Sequence, residues 1–429
     1  MRASLVLGEF EPLLREVRAV ASAVGVPVPD RVELVAEPGL CLLQRGGFLG
    51  VGSRWVLVVG ASGLAVLSIA EFRALLASEF VRARVGTRAL VWLRARRTAA
   101  EAANLRSATE EDCRLRLTCL PSVLLRRLFL ALTHRMFDDH AASADRTVVD
   151  IFGAAHLRNA LLCACAAPSV FRRFHDLDLI PAIDAGYCPP LVRGFQLFLR
   201  DTAIGGKLLH HLFQHPTGSG RVVGELALRR LALLESVLPN NSPRTPSTGA
   251  ATAWSLFEAA PDVEIRLTEL VACTRGSASL IPVDWEALGG RALLPQWEAV
   301  VRLHASSLKQ LTLASIPDWL YQGAITDAEH AGWKGMPPPA GIATIPEFVI
   351  GAAVAACLVR LGGELTYTPG VQVSIRYSGL FFCPFSVVRE LAVGETTAAD
   401  WRARCAQAEI GDVCLADPGN LGELDSSGV

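Results

Sequence analysis

The stretch Leu67-Ser-Ile-Ala-Glu71-Phe-Arg-Ala-Leu-Leu-Ala-Ser78-Glu79-Phe-Val-Arg82 carries the clearest local signal in the chain. Ser68 and Glu71 stand in a Ser-x-x-Glu capping box. In that box the hydroxyl accepts the N3 amide, and the N3 carboxylate reaches back to the N-cap amide. The Ala, Leu and Arg content that follows predicts a long helix over about 69 to 97. Positions 78 and 82 are four apart and share a face of it. Glu79 and Arg82 are three apart and placed to pair.

Upstream, residues 10–24 repeat apolar types at helical spacing, and Gly25–Pro29 reads as the exit loop. Two short β-like runs follow, Val32–Val35 and Trp55–Val59, with Gly46-Gly47 as a turn signal between them. Downstream, a helical block from Val123 to Ala167 is punctuated by Gly153 and Pro168, and shorter helices are predicted at 222–238 and 285–312. The polar, Pro-broken stretch Pro239–Gly249 reads as a loop or linker. A second break, Gly332–Pro346, holds three consecutive prolines. The tail beyond it predicts a helix over 346–362, β-like runs near 364–376 and 381–388, and a helix near 398–408. These signals divide the chain into 1–330, a linker at 331–345, a small C-terminal α/β domain at 346–417 and a disordered tail at 418–429. The fold class is α+β, mostly helical with a small β element, not alternating βαβ.

The 429 residues are 51% apolar and 19% charged. Such a chain can bury a large core, which excludes an intrinsically disordered protein. The 41 basic and 42 acidic side chains leave a formal charge of −1, so no global field favours nucleic acid or an anionic membrane. Only Lys207, Lys309 and Lys334 are lysines, an arginine bias that fits a GC-rich coding sequence. No secretory h-region opens the chain. The uncharged run Trp55–Ala70 is broken by Gly60 and Gly63 and is shorter than the ~20 residues of a spanning helix. A cytoplasmic location is expected, with peripheral membrane contact as the minority reading. The eleven cysteines form no Cys-x-x-Cys and read as reduced, buried thiols.

The quoted stretch resembles the active-site helix of the HtpX-like and CAAX-prenyl-protease-type zinc metalloendopeptidases, which are gluzincins. Their pattern is Leu-Ser-x-x-Glu-Leu-x-Ala-Val-Leu-Ala-His-Glu-x-x-His. Here Leu67, Ser68, Glu71, Ala74, Leu76, Ala77 and Glu79 match, while Ser78 and Arg82 stand at the two histidine positions. The family's second helix carries Glu-x-x-Ala-Asp, with the Glu as third zinc ligand. Ala144-Asp145-Arg146 fits its end and puts Ala141 at the ligand position. A later family motif, His-Pro-Pro-x-x-x-Arg, aligns with Ala260–Leu267 and matches at Pro261, Arg266 and Leu267. The resemblance spans about residues 10–275.

It implies a zincin-like metallopeptidase core in which Glu79 is a vestigial general base, supported by Asp145 and Arg266. The degenerate ligand positions are Ser78, Arg82 and Ala141. A catalytic zinc needs three protein ligands and an open position, so no metal or other cofactor is expected where the family holds zinc. Arginine stays protonated and does not coordinate a cation, and Arg82 is expected to replace part of the metal's charge beside Glu79. The implied function is a catalytically inactive pseudopeptidase that binds a protein or peptide partner. The alternatives are an active metalloendopeptidase with non-standard ligands and a helical protein of another class. Two further clusters read otherwise than as metal sites: His134, Asp138, Asp139, His140 with Asp145 as a solvated helix face, and His211 with His215 as histidines at a helix C-terminus, where the dipole favours them.

Overall fold

Leu13, Val17, Val20 and Ala21 recur at helical spacing and form the buried face of helix α1, Glu11–Ala23. The computed structural model describes residues 4–6, 10–45, 54–84, 128, 133, 139–200, 230–232, 234, 251–257, 262–274, 280–322, 345–370, 373–394 and 396–415. These described residues fold as a mostly helical α+β protein. They divide into two compact units, Met1–Arg173 with Leu191–Gly276, and Phe174–Pro190 with Ser277–Val429.

In the first unit the chain leaves α1 through Gly25, whose φ of +65° suits a residue without Cβ. A four-stranded sheet follows, made of β1 (Leu5–Val6), β2 (Arg31–Val35), β3 (Leu40–Arg45) and β4 (Arg54–Gly60), in the order β1-β2-β4-β3. β2 runs parallel to β4 with Leu34 opposite Val59. β3 runs antiparallel to β4 with Leu42 opposite Leu57. The two anticipated strands are thus present as β2 and β4, while β1 and β3 are two more that the sequence signals did not reveal. Gly60 ends β4 against the 37–39 loop: its N–H donates to the Gly39 carbonyl at 2.6 Å, and an added Cβ would lie 2.2 Å from the Glu37 oxygen.

Helix α2 (Ala61–Val66) leads into α3 (Ile69–Arg84). The capping box is formed as read: the Ser68 N–H donates to Glu71 Oε2 at 2.8 Å, and the Glu71 N–H donates to Ser68 Oγ at 3.3 Å. From Glu71 to Ala83 every residue of α3 except Arg73 is buried. A helix covered on all sides belongs at the centre of its unit. Arg73 reaches outward and holds Glu16 of α1 through two bonds of 2.6 and 2.8 Å.

Residues 139–152 form helix α4, and Gly153, at φ +86°, separates it from α5 (Ala154–Phe174). Pro168 does not end the helical block as expected but lies inside α5. Its flanking residues Ala166, Ala167, Val170 and Phe171 are buried, and that packing offsets the ~3 kcal/mol a helix-interior proline costs. Phe171 meets Phe195 of the helix Leu191–Arg200 edge to face at 5.4 Å.

In the second unit the apolar helix Ile345–Arg360 is the core element. It packs against Leu294–Leu303 and Pro384–Val393. Residues 346–415 fall in the same compact unit as 277–322. The expected helix over 285–312 is broken into Trp285–Leu288, a π-helical turn at Gly289–Leu293, Leu294–Leu303 and Ala305–Leu308. The strands Glu364–Thr366, Ser374–Tyr377 and Leu380–Phe382 form an antiparallel meander. The expected β run 381–388 turns helical at Pro384, which sits in the first helical turn, where its missing N–H leaves no broken bond. The helix Ala398–Gln407 begins at Thr397, whose side chain accepts the Asp400 N–H. Among the described residues no helix is long and apolar enough to cross a membrane. The remainder of the 69–97 and 222–238 helices, the 331–344 segment and the residues after 415 lie outside the described residues.

Candidate functional site

Helix α3 carries Ser78, Glu79 and Arg82 on consecutive turns, all buried. Helix α4 brings Asp145 to the Ser78 hydroxyl, which donates to Asp145 Oδ1 at 3.0 Å. Ala141 lies one turn before Asp145 on the same face of α4 and is 2% exposed. A third helical segment, at 230–232 and 234, delivers Arg230. Arg230 Nε donates to Asp145 Oδ2 at 3.0 Å, and Nη2 donates to Asp145 Oδ1 at 2.6 Å. The same Nη2 donates in a close contact to the Ser78 hydroxyl oxygen. On α3 itself, Arg82 Nη1 donates to Glu79 Oε1 at 2.6 Å.

Four charges thus lie together out of water, two carboxylates and two guanidiniums. Burying each alone would cost several kcal/mol; paired and hydrogen-bonded, they balance. Burial alone would lower the Arg230 pKa, but the Asp145 carboxylate, with Glu79 behind it, lifts it above its ordinary value. The guanidinium is therefore a fixed cation. It holds Asp145 through two parallel bonds, the geometry that makes arginine–carboxylate pairs strong.

The arrangement constrains the chemistry of each group. Ser78 is held between a donor and an acceptor, and among the described residues no histidine bonds to it as a base that could activate a nucleophile. His140 Nε2 lies 3.1 Å from the Arg82 carbonyl oxygen, satisfying a backbone acceptor in the last turn of α3. That contact turns His140 to the α3 backbone. Burial pushes the Cys165 thiol up to about 12 despite Arg230, and raises Cys163 as well, so neither is a ready thiolate.

Of the residues anticipated from sequence, Ser78 and Asp145 meet directly, and Glu79 pairs with Arg82. Arg266 does not join them: it is exposed on the helix Asp262–Cys273. Pro261, His134, Asp138, His211 and His215 lie outside the described residues. Arg230 was not anticipated. Its one trace in the sequence is the pair Arg229-Arg230 inside the apolar run Leu226–Leu234.

Zinc does not fit this donor set. The positions that the sequence resemblance assigns to its ligands hold a serine bonded to a guanidinium, an arginine and an alanine. Among the described residues no three His, Cys, Asp or Glu side chains gather as a metal set. In comparisons with known proteins, the chain matches no family model, no curated protein and no solved structure.

Proposed function

We propose that this protein is a metallopeptidase-like pseudoenzyme that acts by binding a protein or peptide and hydrolyses no peptide bond. One observation carries the reading: the Arg230 guanidinium lies on Ser78 and Asp145, where the resembling frame would hold a metal ligand and its neighbour. A fixed cation there does electrostatic work that a divalent ion would do, balancing buried carboxylates. It offers no open coordination position and no polarised water. Glu79, the vestigial base, has its Oε1 bonded to Arg82 instead of facing a nucleophilic water.

The test uses the full chain purified from metal-supplemented cells. Metal content is measured by mass spectrometry, and hydrolysis is followed on an unfolded casein substrate with and without added Zn²⁺. The expected outcome is zinc well below one equivalent and no hydrolysis, with wild type indistinguishable from Glu79→Gln. About one equivalent of retained zinc, together with hydrolysis that Glu79→Gln abolishes, would overturn the reading in favour of an active metalloendopeptidase.

A further inference from the structure

The second unit has a buried acid of its own in Asp178. Asp178 belongs to a π-helical turn, His175–Leu179, inserted between two α-helical segments. Such insertions are rare and recur at functional positions. Its side chain is 6% exposed. Oδ1 accepts the Tyr367 hydroxyl at 2.7 Å and the Gly370 N–H at 3.3 Å. Oδ2 has no hydrogen-bond partner among the described residues.

Tyr367 is itself buried and wedged between aromatic and π-helical neighbours. Its ring lies 6.2 Å from that of Trp285, which in turn lies 5.8 Å from Phe174. Gly289 opens the second π-helical turn, and a Cβ there would come within 3.1 Å of the Tyr367 Cβ. The surroundings of Asp178 are thus apolar apart from two donors. The titratable group facing it is Tyr367. On its own turn, His175 and Asp176 pair with each other at 2.7 Å near the surface. The charged groups of the adjoining elements, Arg172, Arg173, Asp184, Asp284, Glu286, Arg291 and Glu364, are exposed. Among the described residues no cation pairs with Asp178.

We propose that Asp178 is a proton-operated latch: neutral, it holds the Tyr367–Gly370 segment on the π-helical turn, and loss of its proton loosens that hold. A neutral carboxyl keeps both bonds at Oδ1 and buries no charge. An anion in the same place has two donors, one bare oxygen and no counter-charge, and water reaches it only if the segment lifts. Burial accordingly pushes the Asp178 carboxyl up to about 6 from 3.8, against the opposing pull of the Tyr367 and Gly370 bonds. A folded value above the unfolded one means the contribution is complete below pH 3.8 and is lost as pH rises through about 6.

The experiment compares the full chain with Asp178→Asn, which keeps the Oδ1 acceptor and carries no charge at any pH. Urea unfolding is followed from pH 4 to 8. The ratio of wild-type to D178N folding constants is expected to fall, by up to roughly 100-fold, mostly between pH 4 and about 6, and to level off above it. Parallel profiles, or a ratio that rises with pH, would overturn the latch. If D178N fails to fold, amide exchange of wild type decides. Protection around Gly370, corrected for intrinsic exchange, is expected to drop as pH rises from 4 to about 6 and to stay low above it. Constant protection from pH 5 to 8 would overturn the proposal.

Discussion

Removing the Arg230 guanidinium while Asp145 stays in place strands a carboxylate that is 4% exposed. Arg230→Met is therefore expected to cost about 3–5 kcal/mol in urea unfolding, the usual loss when one partner of a buried ion pair is deleted. Adding Asp145→Leu should recover most of that loss, since apolar replacement of a whole buried pair is often neutral. If the double variant is no better than the single one, the pair is not the source of the cost. Ser78→Ala removes the hydroxyl that Asp145 and Arg230 share and is expected to cost about 1–3 kcal/mol. How much of this cluster the sequence disclosed follows from chain distance. Ser78, Glu79 and Arg82 fall within five residues, where helical spacing alone says which side chains can meet. Asp145 is 67 residues from Ser78 and emerged only through a resembling frame. Arg230 is 152 residues away. No local pattern says which of the 38 arginines turns inward, because that depends on a carboxylate supplied by another helix.

The same logic separates the elements that were legible from those that were not. The start of α3 was readable because both halves of its cap lie three residues apart. Ser68→Ala should cost about 1 kcal/mol, checked by thermal unfolding, because the Glu71 amide loses its acceptor at a buried helix start. Helices α1 and Ile345–Arg360 announced themselves by apolar content at helical spacing. β3 did not, because Leu40-Cys-Leu-Leu43 is a continuous apolar run without alternation, and its strand form rests on pairing with β4. Residues 384–388 were misread for a related reason. Val387 and Val388 favour strands locally, but Phe385, Val388 and Leu391 bury one face of a helix. That helix packs closely on Ile345–Arg360. A Cβ at Gly351 would lie 2.3 Å from the Phe385 ring, so Gly351→Ala is expected to destabilise by about 1–3 kcal/mol, as overpacked cores do. Phe385→Leu in the G351A background should restore part of the loss, and its failure to do so would place the cost elsewhere.

Across the whole molecule, two acids in different units pull the pH profile the same way. Asp178 is one. Glu264 is the other: it accepts the Arg193 N–H at 2.8 Å and the Trp254 Nε1–H at 3.2 Å, tying together the helix Leu191–Arg200, the turn Ala253–Phe257 and its own helix. Burial raises its carboxyl above the ordinary 4.5, outweighing the amide and indole bonds that would lower it. Glu16 shifts the opposite way, lowered chiefly by its bond to Arg73; its contribution is present above pH 4.5 and lost on acidification. That pair is near the surface and screened, so its weight is small. For Glu264, as for Asp178, the folded value lies above the unfolded one, so its contribution is complete below pH 4.5 and drains away as pH climbs through the raised value. Glu264→Gln keeps an acceptor for the same donors and removes the titration. The expected result is a Tm gap between E264Q and wild type that shifts in favour of E264Q as pH rises from 4 to 8. A constant offset would mean that the carboxyl does not titrate differently in the folded chain. Because Glu264 and Asp178 share no hydrogen-bond partner, the double variant E264Q/D178N should flatten the profile by the sum of the two single effects. A non-additive result would mean that the two units do not carry their acid sensitivity independently.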